Sequence, residues 1–291
     1  MEQTAYNYRK GLAAMAVCYC IWGFQPLYYA IDTTVDTTFL LACRILWAAV
    51  TCLVILWAQG KLQQLAEVFR DRRVLLRELP ASVFLFADWA IYLFAVRRGR
   101  IMECSMGYYI MPLVMFVLGA AIFRERIDRV DIAALAFIVV GIILSAGGFG
   151  GFPYVTVLLS VCFAVYSALK KSLQIDSIVS TTAEILILAP FMLLYLFTLG
   201  RGDLALVTAA RQLFLIGSGI VTGLPMVFFA IGLRHLPLSL TGILQYLSPS
   251  LALVCSLLLG ETLTPQKLVS FCFIWAGMVI YSLHELKSRR A

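Results

Sequence analysis

The chain has 291 residues, of which 62% are hydrophobic and only 13% charged, with a formal net charge of +7. Its mean hydropathy is +0.92. Soluble domains carry roughly 45–50% apolar and about 25% charged residues, so too few polar side chains remain to cover a water-facing surface, and the composition selects an integral membrane protein. The positive charge is explained by Lys and Arg flanking apolar runs and calls for no nucleic-acid partner.

A helix of about 20 apolar residues crosses ~30 Å of hydrocarbon. Ten such runs follow one another, at roughly 11–31, 37–58, 75–96, 102–123, 130–147, 153–171, 180–199, 212–233, 238–259 and 267–286. They are continuous rather than alternating, which selects helices over barrel strands. The first run contains Trp22 and Pro26, is too long for a cleaved leader and lacks a small-x-small cleavage site, so it is expected to stay as the first helix. With the N-terminus in the cytoplasm, sixteen Lys and Arg fall inside and six outside. That bias puts both termini in the cytoplasm, with the triplet Arg97, Arg98 and Arg100 running against it.

In chain order, the residues that do not belong in hydrocarbon are few. A mid-membrane charge costs about 2.5–3.5 kcal/mol even on a lenient scale. Arg44 interrupts the second run and Glu184 the seventh, 140 positions later. Either both face a central cavity, pairing or holding a charged substrate group, or Glu184 snorkels while Arg44 serves backbone carbonyls. Asp88 lies inside the third run beside Trp89, and Glu103 opens the fourth. A buried carboxyl of this kind can carry a proton; Asp88 reads as the functional position and Glu103 as a solvated interface charge. Glu125 and Glu261 read as loop caps pairing with Arg124, Arg126 or Lys267.

Aromatic residues gather on the same runs: Trp22, Tyr28, Trp89, Tyr108, Tyr109, Tyr166 and Tyr246. Singly each reads as packing or an interfacial belt. Together with Arg44, Asp88 and Gln245 they could line an apolar pocket punctuated by a few polar groups. Gln245, Tyr246 and Ser248 belong to "QYLSPS" (245–250), an unusually polar stretch in the ninth run. Prolines 26, 112, 225 and 249 are expected to bend their helices, freeing backbone carbonyls. Gly219-x-x-x-Gly223 offers a close-packing face. All eight cysteines fall in apolar runs without metal-ligand spacing and read as buried free thiols. No catalytic motif, metal site or cofactor site is present in the sequence, so an enzyme is not expected.

The chain also resembles itself. "YIMPLVMFVLGAAIFRE" (109–125) is similar to "YLSPSLALVCSLLLGE" (246–261), and "VCYCIWG" (17–23) to "VCFAVYS" (161–167). Glu125 to Gly141 and Glu261 to Gly277 are both sixteen residues. Five helices per copy is an odd number, so the second copy enters from the opposite side. The expected fold is therefore an all-α integral membrane protein of ten transmembrane helices in two inverted five-helix repeats, residues 1–147 and 148–291, joined at "GGFGGFP" (147–153).

The stretches "YCIWGFQPLYY" (19–29), "CRILW" (43–47), "DWAIYLFAV" (88–96), "MECSMGYYIMPLVMFVLG" (102–119), "TAEILILAP" (182–190), "LQYLSPSLA" (244–252) and "FIWAGMVIY" (273–281) resemble the RarD-type branch of the EamA family, in the drug/metabolite transporter superfamily. The resemblance covers nearly the full chain and departs at Asp88 and Met111, where that pattern has asparagine. It implies ten helices in inverted repeats, an inner-membrane location and a central cavity serving small metabolites, amino acids or drugs. The function expected is a multi-pass secondary transporter working by alternating access. Its partners would be a small-molecule substrate, the lipid bilayer and, through Glu184 or Asp88, protons; no nucleotide motif supplies ATP. The alternative is a non-transporting membrane scaffold or lipid-handling protein. Candidate substrate-binding residues are Trp22, Arg44, Asp88, Trp89, Tyr108, Tyr109, Glu184, Gln245, Tyr246 and Ser248.

Overall fold

The structure is a computed structural model that describes residues 2–123, 129–171, 175–236 and 244–288. Among the described residues it is helical throughout, with no strand. The elements are α1 (Glu2–Tyr29), α2 (Thr37–Ala58), α3 (Leu62–Arg70), α4 (Arg72–Arg97), α5 (Ile101–Phe123), α6 (Arg129–Gly148), α7 (Tyr154–Lys171), α8 (Ser177–Phe197), α9 (Arg201–Ala205), α10 (Ala209–His235), α11 (Leu247–Leu258) and α12 (Pro265–Ser288). Seven helices (α1, α2, α4, α6, α8, α10 and α12) are long and apolar enough to cross a bilayer, and α7 and α11 are shorter apolar helices. The chain is thus a multi-pass membrane protein.

Two helices have no counterpart among the apolar runs. In α3 only Leu65 and Val68 are buried, and α9 has no buried residue. Short helices with half their residues polar carry no hydropathy signal. The ninth run is interrupted: Gln245 is helical, Tyr246 is a turn residue and α11 starts at Leu247. Pro249 lacks the N–H that would meet the carbonyl of Gln245, which accounts for the break. Glu125 with Arg124 and Arg126, and the side chain of Pro112, lie outside the described residues.

Aspartates start three long helices. Asp36 accepts from Phe39 N–H at 2.9 Å, Asp71 from Arg73 N–H at 2.8 Å and Asp176 from Ile178 N–H at 3.1 Å, each satisfying donors that a helix leaves unpaired. Arg44 and Glu184 lie equally far into α2 and α8, eight residues after their capping aspartates.

Eight helices close a ring in the order α2, α10, α1, α11, α5, α7, α4, α8 and back to α2. Helices α6 and α12 form a pair outside it, attached through α5. Small residues set the close approaches. A Cβ on Gly219 would stand 2.3 Å from Trp47 and one on Gly223 3.1 Å from Thr51, so the glycine face of α10 packs directly on α2. Between α6 and α12 the contacts are reciprocal. A Cβ on Gly141 would meet Ile274 at 2.7 Å and the Ser270 carbonyl at 3.0 Å; one on Gly277 would meet Ile138 at 2.8 Å and the Ala134 carbonyl at 2.7 Å. The corresponding residues are 136 positions apart throughout.

Polar contacts tie the turns together on two opposite ends of the bundle. At one end, Arg97 donates to the carbonyls of Tyr29, Asp32, Thr33 and Val35, and Arg211 pairs with Asp32 at 3.4 Å. At the other, Lys61 pairs with Asp176 at 2.6 Å. Burial opposes ionisation of Asp176, but the Lys61 charge and the helix N–H groups hold its carboxyl below the ordinary range.

Candidate functional site

Five helices send side chains to one point inside the ring. Arg44 of α2 is 3% exposed and Asp88 of α4 is 2% exposed. The Arg44 Nε donates to Thr222 Oγ1 of α10 at 2.8 Å, and Thr222 passes its own hydrogen to the Ser218 carbonyl at 2.8 Å. The guanidinium lies 5.0 Å from the centre of the Trp89 ring and 5.4 Å from that of Tyr29 on α1, both within cation–π range. Tyr108 of α5 points its hydroxyl at Asp88 Oδ2, 3.4 Å away, and packs against Tyr92 at 6.0 Å.

What this cluster leaves undone is informative. Arg44 Nη1, Asp88 Oδ1 and the Tyr29 hydroxyl are buried without a hydrogen-bond partner among the described residues. Arg44 and Asp88 are electrostatic neighbours yet form no ion pair. An unpartnered buried polar atom costs ~1–3 kcal/mol, more when charged, and a native structure rarely keeps three together without use. A cationic donor and an anionic acceptor, walled by aromatic faces, suit a small molecule offering an acceptor at one end and a donor at the other.

The other candidate residues form three separate groups. Tyr109 stacks on Tyr246 at 6.2 Å and meets Trp275 edge-on at 6.2 Å; its hydroxyl shares a 2.6 Å hydrogen bond with Ser250. Gln245 reaches the sulfur of Met111 at 3.8 Å, and the Ser248 carbonyl lies against Gly23. Trp22 packs with Tyr19 and Phe229, each at 5.9 Å. Glu184 is fully buried and does not pair with Arg44. Its oxygens accept from Lys170 Nζ at 3.1 Å and from the Tyr166 hydroxyl at 3.0 Å. Glu184 therefore neither snorkels nor shares the Arg44 site.

Two further expectations change. Glu103 is 2% exposed rather than solvated and is held by Arg100 at 2.8 Å. Glu261 is a cap, but of α5: it accepts from the N–H groups of Ile101 and Met102. Around them a cavity of about 470 Å³ opens, lined by Arg100, Glu103, Glu261 and Lys267 among others. Tyr29, Tyr92 and Thr222 were not singled out in the sequence, since their place around Arg44 and Tyr108 depends on which helices come together.

The EamA-like transporter family model matches residues 9–147 and again 153–283. The chain belongs to the EamA-like transporter family. An uncharacterized transporter, YojE, of Bacillus subtilis is 33% identical over 97% of each chain. The protein RarD of Streptomyces exfoliatus is 30% identical over 97% of this chain and 91% of its own, and that of Escherichia coli is 26% identical over 97% of each. Among EamA members this chain is of the RarD type. A solved structure, titled only as the crystal structure of a protein, superposes with a TM-score of 0.61 over 96% of this chain and 97% of its own, at 18% identity. That likeness concerns the fold alone.

Proposed function

We propose that this EamA member is a secondary transporter of the cytoplasmic (inner) membrane, and that it moves a small metabolite, amino acid or drug-like molecule by alternating access. The observation that carries the reading is the buried, incompletely bonded Arg44–Asp88 pair inside the helix ring, framed by Tyr29, Trp89, Tyr92 and Tyr108. These residues form the substrate floor. Trp22, Gln245 and Ser248, on the α1–α11 side of the ring, form its wall, whereas Tyr109 and Tyr246 pack toward Trp275 of α12 and stand outside it.

Ten spans in two inverted repeats, 1–147 and 148–291 with both termini cytoplasmic, are part of the same proposal. The double match to the family model supports it, as do the reciprocal Gly141 and Gly277 contacts. So does the sorting of turns into two ends, one joined by Arg97 and Arg211, the other by Lys61 and Asp176. An inverted pair of this kind has its site at the junction of the halves and can expose it to either side.

The test is a thermal-shift screen of purified protein against small metabolites, followed by flux of the stabilising compound into liposomes. A compound that stabilises wild type but neither Arg44→Gln nor Asp88→Asn, and crosses the bilayer only with wild type, fits the proposal. Protein that is well folded in liposomes yet moves none of the stabilising compounds would instead fit a scaffold.

A further inference from the structure

A second polar cluster lies inside the bundle, away from Arg44 and Asp88. Glu78 of α4 and Glu184 of α8 are both fully buried. Lys170 of α7 donates to both oxygens of Glu184, to Thr181 Oγ1 and, at 2.8 Å, to the Tyr166 oxygen. Ser180 adds a 3.5 Å contact to Glu184. Glu184 is thereby furnished with donors from three side chains. Glu78 is furnished with none: neither Oε1 nor Oε2 has a hydrogen-bond partner among the described residues, although its carboxyl faces Ser180, Glu184 and Lys170.

The charge balance does not close with both carboxyls ionised. Two carboxylates against one ammonium leave a net negative charge among fully buried carboxyls, and an uncompensated buried charge neutralises itself by taking a proton. Among the described residues, the remaining neighbours offer no second cation. Tyr166 on α7 and Cys52 on α2 are the other titratable groups facing the cluster, and α3 presents only Leu65 and Val68 to the interior. Two carboxylate oxygens cannot bond to each other, since both only accept. A proton on Glu78 supplies the missing donor and directs it at Glu184.

We propose that Glu78 and Glu184 form a proton-binding site, in which one proton from bulk water is shared between the two carboxyls while Lys170 balances the remaining charge. The step is a simple protonation: an O–H bond forms on Glu78, and the site passes from a net charge of minus one to zero. The Lys170 side chain, 19% exposed, is the cluster's contact with the outside. Helix α4 carries both this site and Asp88, ten residues or about 15 Å apart along its axis with Pro80 between them, so loading the one and filling the other act on a single helix. The inference rests on the transporter reading for its purpose, coupling transport to a proton gradient, but not for its existence.

Infrared difference spectra of the purified protein in lipid, taken between neutral and alkaline pH, test it without any substrate. Wild type should show a protonated-carboxyl C=O band at neutral pH that is lost in Glu78→Gln and kept in Asp88→Asn. Lys170→Gln, which removes the cation, should roughly double that band as Glu184 also takes a proton. A band that survives Glu78→Gln, that vanishes in Asp88→Asn, or that keeps its wild-type size in Lys170→Gln overturns the proposal. Wild-type spectra without a band at neutral pH do the same. Should liposome flux fail while the band behaves as described, the transporter reading falls and the proton site stands.

Discussion

Replacing Arg44 with methionine together with Asp88 by leucine separates residues held for a ligand from residues held for the fold. Arg44 gains a charged hydrogen bond to Thr222 at 2.8 Å, ~1.5–3 kcal/mol. Its ring contacts at 5.0 and 5.4 Å add up to ~2 kcal/mol each when desolvated. Against these stand a desolvation penalty of several kcal/mol for the buried ion and ~1–3 kcal/mol for the unpartnered Nη1. The terms nearly cancel, and exchanging both buried ions for apolar side chains of similar volume, so that neither charge is left stranded, is often neutral or stabilising by ~1–4 kcal/mol. At about 2 °C per kcal/mol for a chain of this size, the double variant Arg44→Met, Asp88→Leu should leave the melting temperature unchanged or raise it by up to about 8 °C. Thermal unfolding followed by tryptophan fluorescence, with and without a stabilising compound, measures both quantities. The ligand-induced shift should disappear while the ligand-free melting point holds. A ligand-free loss above about 6 °C, equivalent to ~3 kcal/mol, would mean that the Arg44–Asp88 pair is structural, and the site argument would be wrong.

Gly219→Val should destabilise by at least ~1–3 kcal/mol, because a Cβ there would stand 2.3 Å from Trp47 backbone that cannot retreat; the melting temperature reads it. Glu261→Ala should cost ~1 kcal/mol by uncapping α5, visible as faster hydrogen exchange at Ile101 and Met102. Arg97→Ala removes the donor to four carbonyls of the α1–α2 turn; a loss of ~2–4 kcal/mol should follow, with exchange rising across residues 30–36. Asp176 titrates below its ordinary value in the folded chain, so the Lys61–Asp176 contact stabilises above about pH 4 and fades as pH falls through the folded value. Asp176→Asn should flatten that acid limb by lowering stability at neutral pH, while leaving it unchanged below the folded value.

Helices were legible because hydrocarbon demands long unbroken apolar runs; the aspartate caps of α2, α4 and α8 emerge only with the structure. Arg44 and Asp88 were legible because a charge within such a run is costly. Glu78 and Lys170 were not: each lies within two turns of a helix end, where charges are ordinary, and their burial depends on which helices come together. The ring sets α2 beside α8 and α10 rather than beside α1, and no local pattern encodes that order. It also divides the candidate residues into four groups that one sequence-level pocket had pooled. All three arginines of the Arg97, Arg98, Arg100 triplet, which runs against the expected charge bias, are engaged within the protein, Arg98 over the Phe94 ring at 5.8 Å. Arg97 is bound to carbonyls and Arg100 to Glu103.

The glycine contacts between α6 and α12 constrain how the molecule can move. At Gly141 and Gly277 each helix rests on the other's backbone or branched side chain with no cushion between. Axial slippage of either helix would drive an isoleucine into main chain at two places at once. The pair is therefore locked in register like meshed teeth and can turn only as a single body. Under the alternating access proposed above, the rearrangement would be taken up among the remaining helices, with the α6–α12 pair as their fixed mast.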